Sequence, residues 1–270
     1  MAPSFASRAT WSASLPVESA CEIKVLTGDE ELVASYRLRY DVYGGLGYIR
    51  TANRSRLEID EYDPFSIPFG AFVGGRLAGT LRLIVSEKQP EYVEAIGRVL
   101  SEAGDPELIE QASRLRRHPL PSIISTQVMR QIDRFNIERF PVRELSRTIV
   151  HPDHRGGGIS RGLMELGLAI SAERGPAILI GGCLAEHVPM YAKYGYVELP
   201  GTPRDLYDSV GQLAHAVVCR TDVLPQPTRG HVDKLLRRMQ SGADTCTLDT
   251  GRGITAVHRI APRVIQERKS

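Results

Sequence analysis

The sequence predicts an α/β domain, a sheet with helices packed on it, and three stretches make the case. Glu144 to Met164 reads as a strand, a glycine-rich turn and an amphipathic helix. Arg174-Gly175-Pro176 then supplies a glycine C-cap and a proline stop ahead of a short apolar strand, Ala177-Ile-Leu-Ile-Gly181. Upstream, the apolar runs Phe69 to Val73 and Leu77 to Val85 flank Gly74-Gly75 in the pattern of a β-hairpin.

Taken in order, Met1 to about Ala20 is rich in Ser and Ala and reads as a disordered tail, without the apolar core of a secretory signal. Glu22 to Leu26 is a first strand. Thr27-Gly-Asp-Glu30 has the form of a capping box and starts a helix with Leu32, Tyr36, Tyr40 and Tyr43 on one stripe, ending in the flexible run Gly44-Gly45-Leu46-Gly47. The hairpin follows, and more than fifty residues then separate Val85 from Glu144. So long a connection calls for structure of its own. Pro90 to Ala103 and Asp105 to Arg117 are expected to be helical, and Ile124, Val128, Ile132 and Phe135 mark a further helix face, so that residues 86–142 form a helical insertion. Leu213 to Arg220 is a plausible last strand of a domain spanning 21–225. Beyond Pro225 and Pro227, a basic helix around His231 to Gln240 and a weakly patterned tail make a C-terminal extension over 226–270.

Composition narrows the classes of function. Lys and Arg number 34 against 32 Asp and Glu, which gives no case for a nucleic-acid partner. The local trio Arg114, Arg116 and Arg117 reads as a solvated helix face. Cys21, Cys183, Cys219 and Cys246 are far apart and form no Cys-x-x-Cys pair, so neither a metal site nor a disulfide framework is expected and a reducing cytoplasm fits. No apolar run approaches the ~20 residues of a membrane span.

The chemistry centres on Arg155-Gly156-Gly157-Gly158-Ile159-Ser160. Consecutive backbone N–H groups, unshielded by bulky side chains and set at a helix N-terminus, favour a phosphate. The stretch is neither a Walker loop nor a dinucleotide fingerprint. Val150, Pro152, Arg155 and Gly158, with Ser160 in the place of a final Gly or Ala, resemble the pyrophosphate loop of the GCN5-related N-acyltransferases (GNAT). Pro189-Met-Tyr-Ala-Lys-Tyr-Gly-Tyr196 is similar to the signature that closes the acyl-donor site of that superfamily. The resemblance implies a GNAT fold, a central mixed sheet of about seven strands flanked by helices, with the insertion between the third and fourth strands.

A narrower resemblance lies upstream. Arg39-x-x-Val42-Tyr43, Glu58-x-Asp60-x-Tyr62-Asp63, Gly79-Thr-Leu-Arg82-Leu83 and Glu144-Leu-Ser-Arg147 look like the acyl-homoserine-lactone synthases and the long-chain N-acyl amino acid synthases. The lactone synthases carry a tryptophan soon after the first of these segments, whereas the single tryptophan here is Trp11, so the amino acid synthases are the better match.

That resemblance implies an N-acyltransferase that moves an acyl group, long-chain in the better-matched branch, to the amine of an amino acid or similar small molecule. Its donor would be a 4′-phosphopantetheine thioester carried by coenzyme A or by an acyl carrier protein, with no metal. Glu144 would take the amine proton, directly or through a water, and Tyr191 would protonate the leaving thiolate. A backbone N–H near Val150 would hold the thioester oxygen. Thr148, Val150, Arg155, Gly156, Gly157, Gly158, Ile159 and Ser160 would bind the donor, and Arg39, Asp60, Asp63, Arg82 and Arg147 would bind the acceptor or order the site. His151 and His154 flank the loop without a part in the reaction, and Cys183 is a small buried hydrophobe. The rival readings are an acetyl-CoA-dependent acetyltransferase, a lactone synthase and a non-catalytic module that binds acyl thioesters.

Overall fold

The computed structural model describes residues 20–49, 52–114, 140–199, 205–207, 212–250 and 255–259. The expected tail before Ala20, the helix face at Ile124, Val128, Ile132 and Phe135, and Arg116 and Arg117 of the basic trio lie outside these residues.

In chain order the elements are β1 (Cys21–Val25), α1 (Asp29–Gly45), β2 (Ser66–Val73), β3 (Arg76–Ile84), α2 (Pro90–Ala103) and α3 (Pro106–Ala112). The second half supplies β4 (Val142–Val150), α4 (Ile159–Glu173), β5 (Ile178–Cys183), α5 (Val188–Ala192), β6 (Val197–Glu198), β7 (Asp205–Tyr207) and β8 (Gln212–Arg220). The chain then adds α6 (Thr228–Gln240), β9 (Thr245–Asp249) and β10 (Thr255–Arg259). One sheet runs β6-β8-β5-β4-β3-β2-β1-β10-β9, with β7 paired to β8. It is mixed: β4 with β5 and β1 with β10 are parallel, and the other pairs are antiparallel.

Among the described residues the sheet has ten strands where about seven were expected. The short β7 accounts for part of the difference, and β9 and β10 for the rest. Their inward residues are Cys246, Leu248, Ala256 and His258, of which Leu248 alone is a large apolar side chain, so no hydrophobic alternation registers. β9 and β10 thus extend the sheet, with β10 alongside β1.

Each face of the sheet has its own helices. Leu163, Met164, Leu166 and Leu168 of α4 bury against Ile23, Phe69, Leu81, Leu145 and Leu179, with Val232 and Leu235 of α6 joining the same cluster. On the other face, Leu32 and Tyr36 of α1 meet Tyr92, Ile96 and Val99 of α2. Burying one such side chain contributes about 1.5–3 kcal/mol, so α4, with eleven buried residues in fifteen, is the central helix. The expected stripe on α1 is only half correct. Leu32 and Tyr36 are buried, but Tyr40 and Tyr43 are half-buried, and the covered face takes in Ser35, Leu38, Arg39 and Val42. Its capping box is also incomplete: Gly28 is the N-cap, and Glu31 rather than Glu30 reaches back, accepting from the Thr27 N–H at 3.3 Å. The hairpin turn forms as expected, with Gly74 and Gly75 at φ +55° and +77°.

Candidate active site

The site is made by a divergence of two strands. β4 and β5 pair only at Val142–Ile178, Arg143–Leu179 and Glu144–Ile180. Beyond that point β5 continues beside β8 as far as the Cys183–His215 pair, while β4 continues beside β3. Along β3, Arg82 faces Ser146 and Thr80 faces Ile149, so three steps of β4 match two of β3. This is a bulge, and it bends β4 away from β5. Arg147 lies inside it with φ +54°, a conformation that L-residues other than Gly, Asn and Asp seldom adopt.

A cavity of about 500 Å3 occupies the wedge, a size ordinary for a small-molecule site. Its walls are Ser146 to Val150 of β4, Gly182 to Leu184 at the end of β5, Met190 and Tyr191 of α5, the glycine-rich turn, and Val42, Tyr43, Leu46 and Tyr48 from the end of α1. Of the residues expected to act, Arg147, Thr148, Val150, Arg155, Gly156, Gly158, Ile159, Ser160 and Tyr191 are on the wall. Glu144, Gly157, Arg39, Asp60, Asp63 and Arg82 are not on it.

The glycine-rich turn enters α4 through Gly158, its N-cap, at φ +87°, and Gly156 has φ +86°. Both values suit glycine. The first-turn amides of α4 have no partners inside the helix, so donors and the positive end of the dipole face the wedge together. Arg155 is exposed, its Nε donating to the Val150 carbonyl at 3.2 Å. At Gly158 a Cβ would stand 2.6 Å from Thr250 Cβ, so the turn rests directly on the C-terminal segment.

Tyr191 is buried to 6 % exposure with its ring on the cavity wall, packed edge-on against Tyr196 at 5.2 Å. Glu144 has no exposed surface and occupies the last paired position before the strands part. Its negative charge is felt by Tyr62 and Tyr196, whose phenols are pushed up chiefly by burial. Cys183 also lines the cavity, and burial pushes its thiol up to about 12, so it stays protonated at neutral pH.

The charged residues expected at the acceptor side form a buried lattice. Arg39 holds Asp63 through two bonds of 2.7 and 3.0 Å and also pairs with Glu58. Arg82 grips Asp60 at 2.5 and 2.8 Å and donates its Nε to Ser146 Oγ at 2.9 Å. Arg147 bridges Glu58 at 2.8 Å and Asp60 at 2.7 Å, with its guanidinium 5.5 Å from the Tyr43 ring centroid. Three arginines thus alternate with three carboxylates. Burial by itself would raise the Asp60 carboxyl, but the Arg82 and Arg147 guanidiniums hold it well below the usual carboxylate range. Glu58 is lowered likewise, Arg147 and Arg39 outweighing its burial. Only Arg147 of this lattice reaches the cavity, and there it pins the bulge that opens the wedge.

Two residues were not singled out from the sequence. Glu58 was visible beside Asp60 in the Glu58-x-Asp60 pattern, but nothing in the spacing shows that it joins Arg39 to Arg147. Thr250 carries no local signal, since its partner Gly157 is 93 positions away. Among the described residues, no helix is long and apolar enough to cross a membrane.

A family model described as N-acyl amino acid synthase FeeM matches residues 34–102, the stretch that holds Arg39, Glu58, Asp60, Asp63 and Arg82. Among solved structures, FeeM, an N-acyl amino acid synthase from uncultured soil microbes, is similar at 15 % identity and a TM-score of 0.51, over 79 % of this chain and 94 % of that one. A CoA-dependent acyl-homoserine lactone synthase, BjaI, is similar at 17 % identity and a TM-score of 0.47, covering 82 % and 90 %. A putative N-acetyltransferase from Lactobacillus plantarum gives 14 % identity and 0.44, covering 75 % and 99 %. No curated protein sequence matches the chain. The chain thus shares the fold of FeeM, and its residues 34–102 match the family model of that synthase.

Proposed function

We propose that the enzyme transfers an acyl group, long-chain in the reading favoured here, from a phosphopantetheine thioester to the amine of an amino acid or similar small molecule. The observation that carries this reading is the wedge itself, with the glycine-rich turn and the N-terminus of α4 at one end and Tyr191 on its wall. Among the described residues β4 pairs with β5 as far as Glu144, and an extended pantetheine arm would run along β4 beyond that point much as an added strand does. Phosphate then rests on the amides of Gly156 to Ser160, beside Arg155. The thioester carbonyl lies along β4 near Val150, where a backbone N–H stabilises the oxyanion. The acceptor amine attacks the thioester carbon, the tetrahedral intermediate collapses, and the thiolate leaves with the Tyr191 proton. Glu144, absent from the wall, takes the amine proton through an intervening water or hydroxyl. Tyr43, Leu46, Tyr48 and Arg147 form the wall available to the acyl chain and the acceptor.

Gly156 provides a direct test of the phosphate end, because a side chain there would meet nothing within 4 Å. Gly156→Asp and its neutral control Gly156→Asn share the strain of a side chain at φ +86°, and relative to Asn the Asp variant is expected to weaken coenzyme A binding by at least about tenfold, or 1.4 kcal/mol, through a carboxylate placed beside the anion. Unchanged affinity by isothermal titration would remove the turn from the donor site. Gly158 is a poorer choice, since Thr250 leaves no room for a side chain.

The donor is tested with a series from two to sixteen carbons and an amino acid mixture as acceptor. If the wedge buries the chain, each methylene contributes about 0.8 kcal/mol, so kcat/KM should climb roughly three- to fourfold per carbon until the space is filled. A maximum at two carbons would identify an acetyltransferase instead. A lactone formed from S-adenosylmethionine would identify a signal synthase.

A further inference from the structure

We propose that Thr250 is a positioning residue for the donor loop and that its hydroxyl selects the orientation of one peptide plane, making the C-terminal segment part of the donor site. The inference rests on the phosphate-binding reading of the turn. Thr250 is buried, and its Oγ1 donates to the Gly157 carbonyl at 3.2 Å. In a trans peptide the C=O and the following N–H point in opposite directions. With the Gly157 oxygen held toward Thr250, the Gly158 N–H points away from it. Gly158 lines the cavity and Gly157 does not, so the anchored plane presents its N–H toward the side where phosphate would sit. A Gly-Gly peptide has no side chain to resist a flip, and a flipped plane would present a carbonyl to the anion instead. The Thr250 hydroxyl bonds the Gly157 carbonyl in the orientation that disfavours this flip.

Thr250 is itself held from behind. Its carbonyl accepts from Arg161 Nη1 at 3.1 Å. Arg161 lies in the first turn of α4, and its Nε donates to Glu165 at 2.8 Å. Glu165 is buried and also lies 2.8 Å from His231 Nδ1 on α6. The latch is therefore tied to the helix whose N-terminus it serves and to the C-terminal helix that follows the main sheet crossing.

Thr250→Val removes the hydroxyl and keeps the branched shape, whereas Thr250→Ser keeps the hydroxyl. The valine variant is expected to raise the donor KM, and the Kd of coenzyme A or of a phosphopantetheinylated acyl carrier protein, by about three- to tenfold, the scale of one hydrogen bond. Its kcat, acceptor KM and melting temperature should stay near wild type, and serine should restore donor affinity. Thr250→Ala provides a second variant without the hydroxyl should valine not fold. Wild-type donor affinity in the hydroxyl-free variants, or an equal loss in Ser and Val, would overturn the latch. If wild type itself binds neither coenzyme A nor the carrier protein, the phosphate-binding reading falls and the latch falls with it.

Discussion

Glu144→Gln is expected to lower kcat by about a hundredfold or more and to leave donor affinity within about twofold of wild type. The substitution is nearly isosteric and keeps the volume of a fully buried position where β4 and β5 separate. What is lost is the capacity to accept a proton from the attacking amine, which must be neutral to add to a thioester. Tyr191→Phe should cost less, because a thiolate leaves more readily than an amine can shed its proton unaided. Single-turnover rates across pH, with coenzyme A titrations on the same variants, check both. A Gln variant with wild-type rates over the full pH range would remove Glu144 from the chemistry, and weakened donor binding with unchanged kcat would make it a structural residue of the wedge.

The turn ahead of α4 was legible, because three consecutive glycines before an apolar helix can be read directly from the chain. Tyr191 was legible through its motif alone. Chemistry carried by tertiary geometry left less trace. The divergence of β4 from β5 depends on a bulge around Arg147, a non-glycine at positive φ, and no local preference of Arg-Thr-Ile predicts it. The charges at Arg39, Asp60, Asp63 and Arg82 could be seen, but not that their partners are one another. Spacing along a chain does not tell an ion pair from a substrate clamp.

The C-terminal segment was the least readable part. β9 and β10 present Cys246, Leu248, Ala256 and His258 to the interior, with one large aliphatic side chain where an alternation of several would have announced the strands. The His258 ring nitrogens lie near the Gly162 and Cys246 carbonyls, an inward polar contact that a hydrophobicity pattern counts as outward-facing. Burial lowers this imidazole below the usual histidine range.

Asp60→Ala should destabilise the fold by about 3–5 kcal/mol, because it strips a partner from two buried guanidiniums at once. Arg82 loses both its 2.5 and 2.8 Å bonds, and Arg147 loses its 2.7 Å bond in the bulge. The exposed pair Arg56–Asp41 is the control: at 2.6 Å it is as close, but its side chains are 67 % and 45 % exposed, and Asp41→Ala should cost less than about 1 kcal/mol. The pH dependence has a definite sign. Since the folded protein holds the Asp60 carboxyl below its unfolded value of about 3.9, its contribution is complete above that value and is lost as the pH falls further. Urea unfolding should therefore separate wild type from Asp60→Ala widely at neutral pH and progressively less on acidification below about pH 4. Catalysis should fall along with stability, since the bulge pinned by Arg147 is what holds β4 away from β5. A variant as stable as wild type with a raised acceptor KM would reverse this assignment and return Asp60 to the acceptor-binding role that the family resemblance implies.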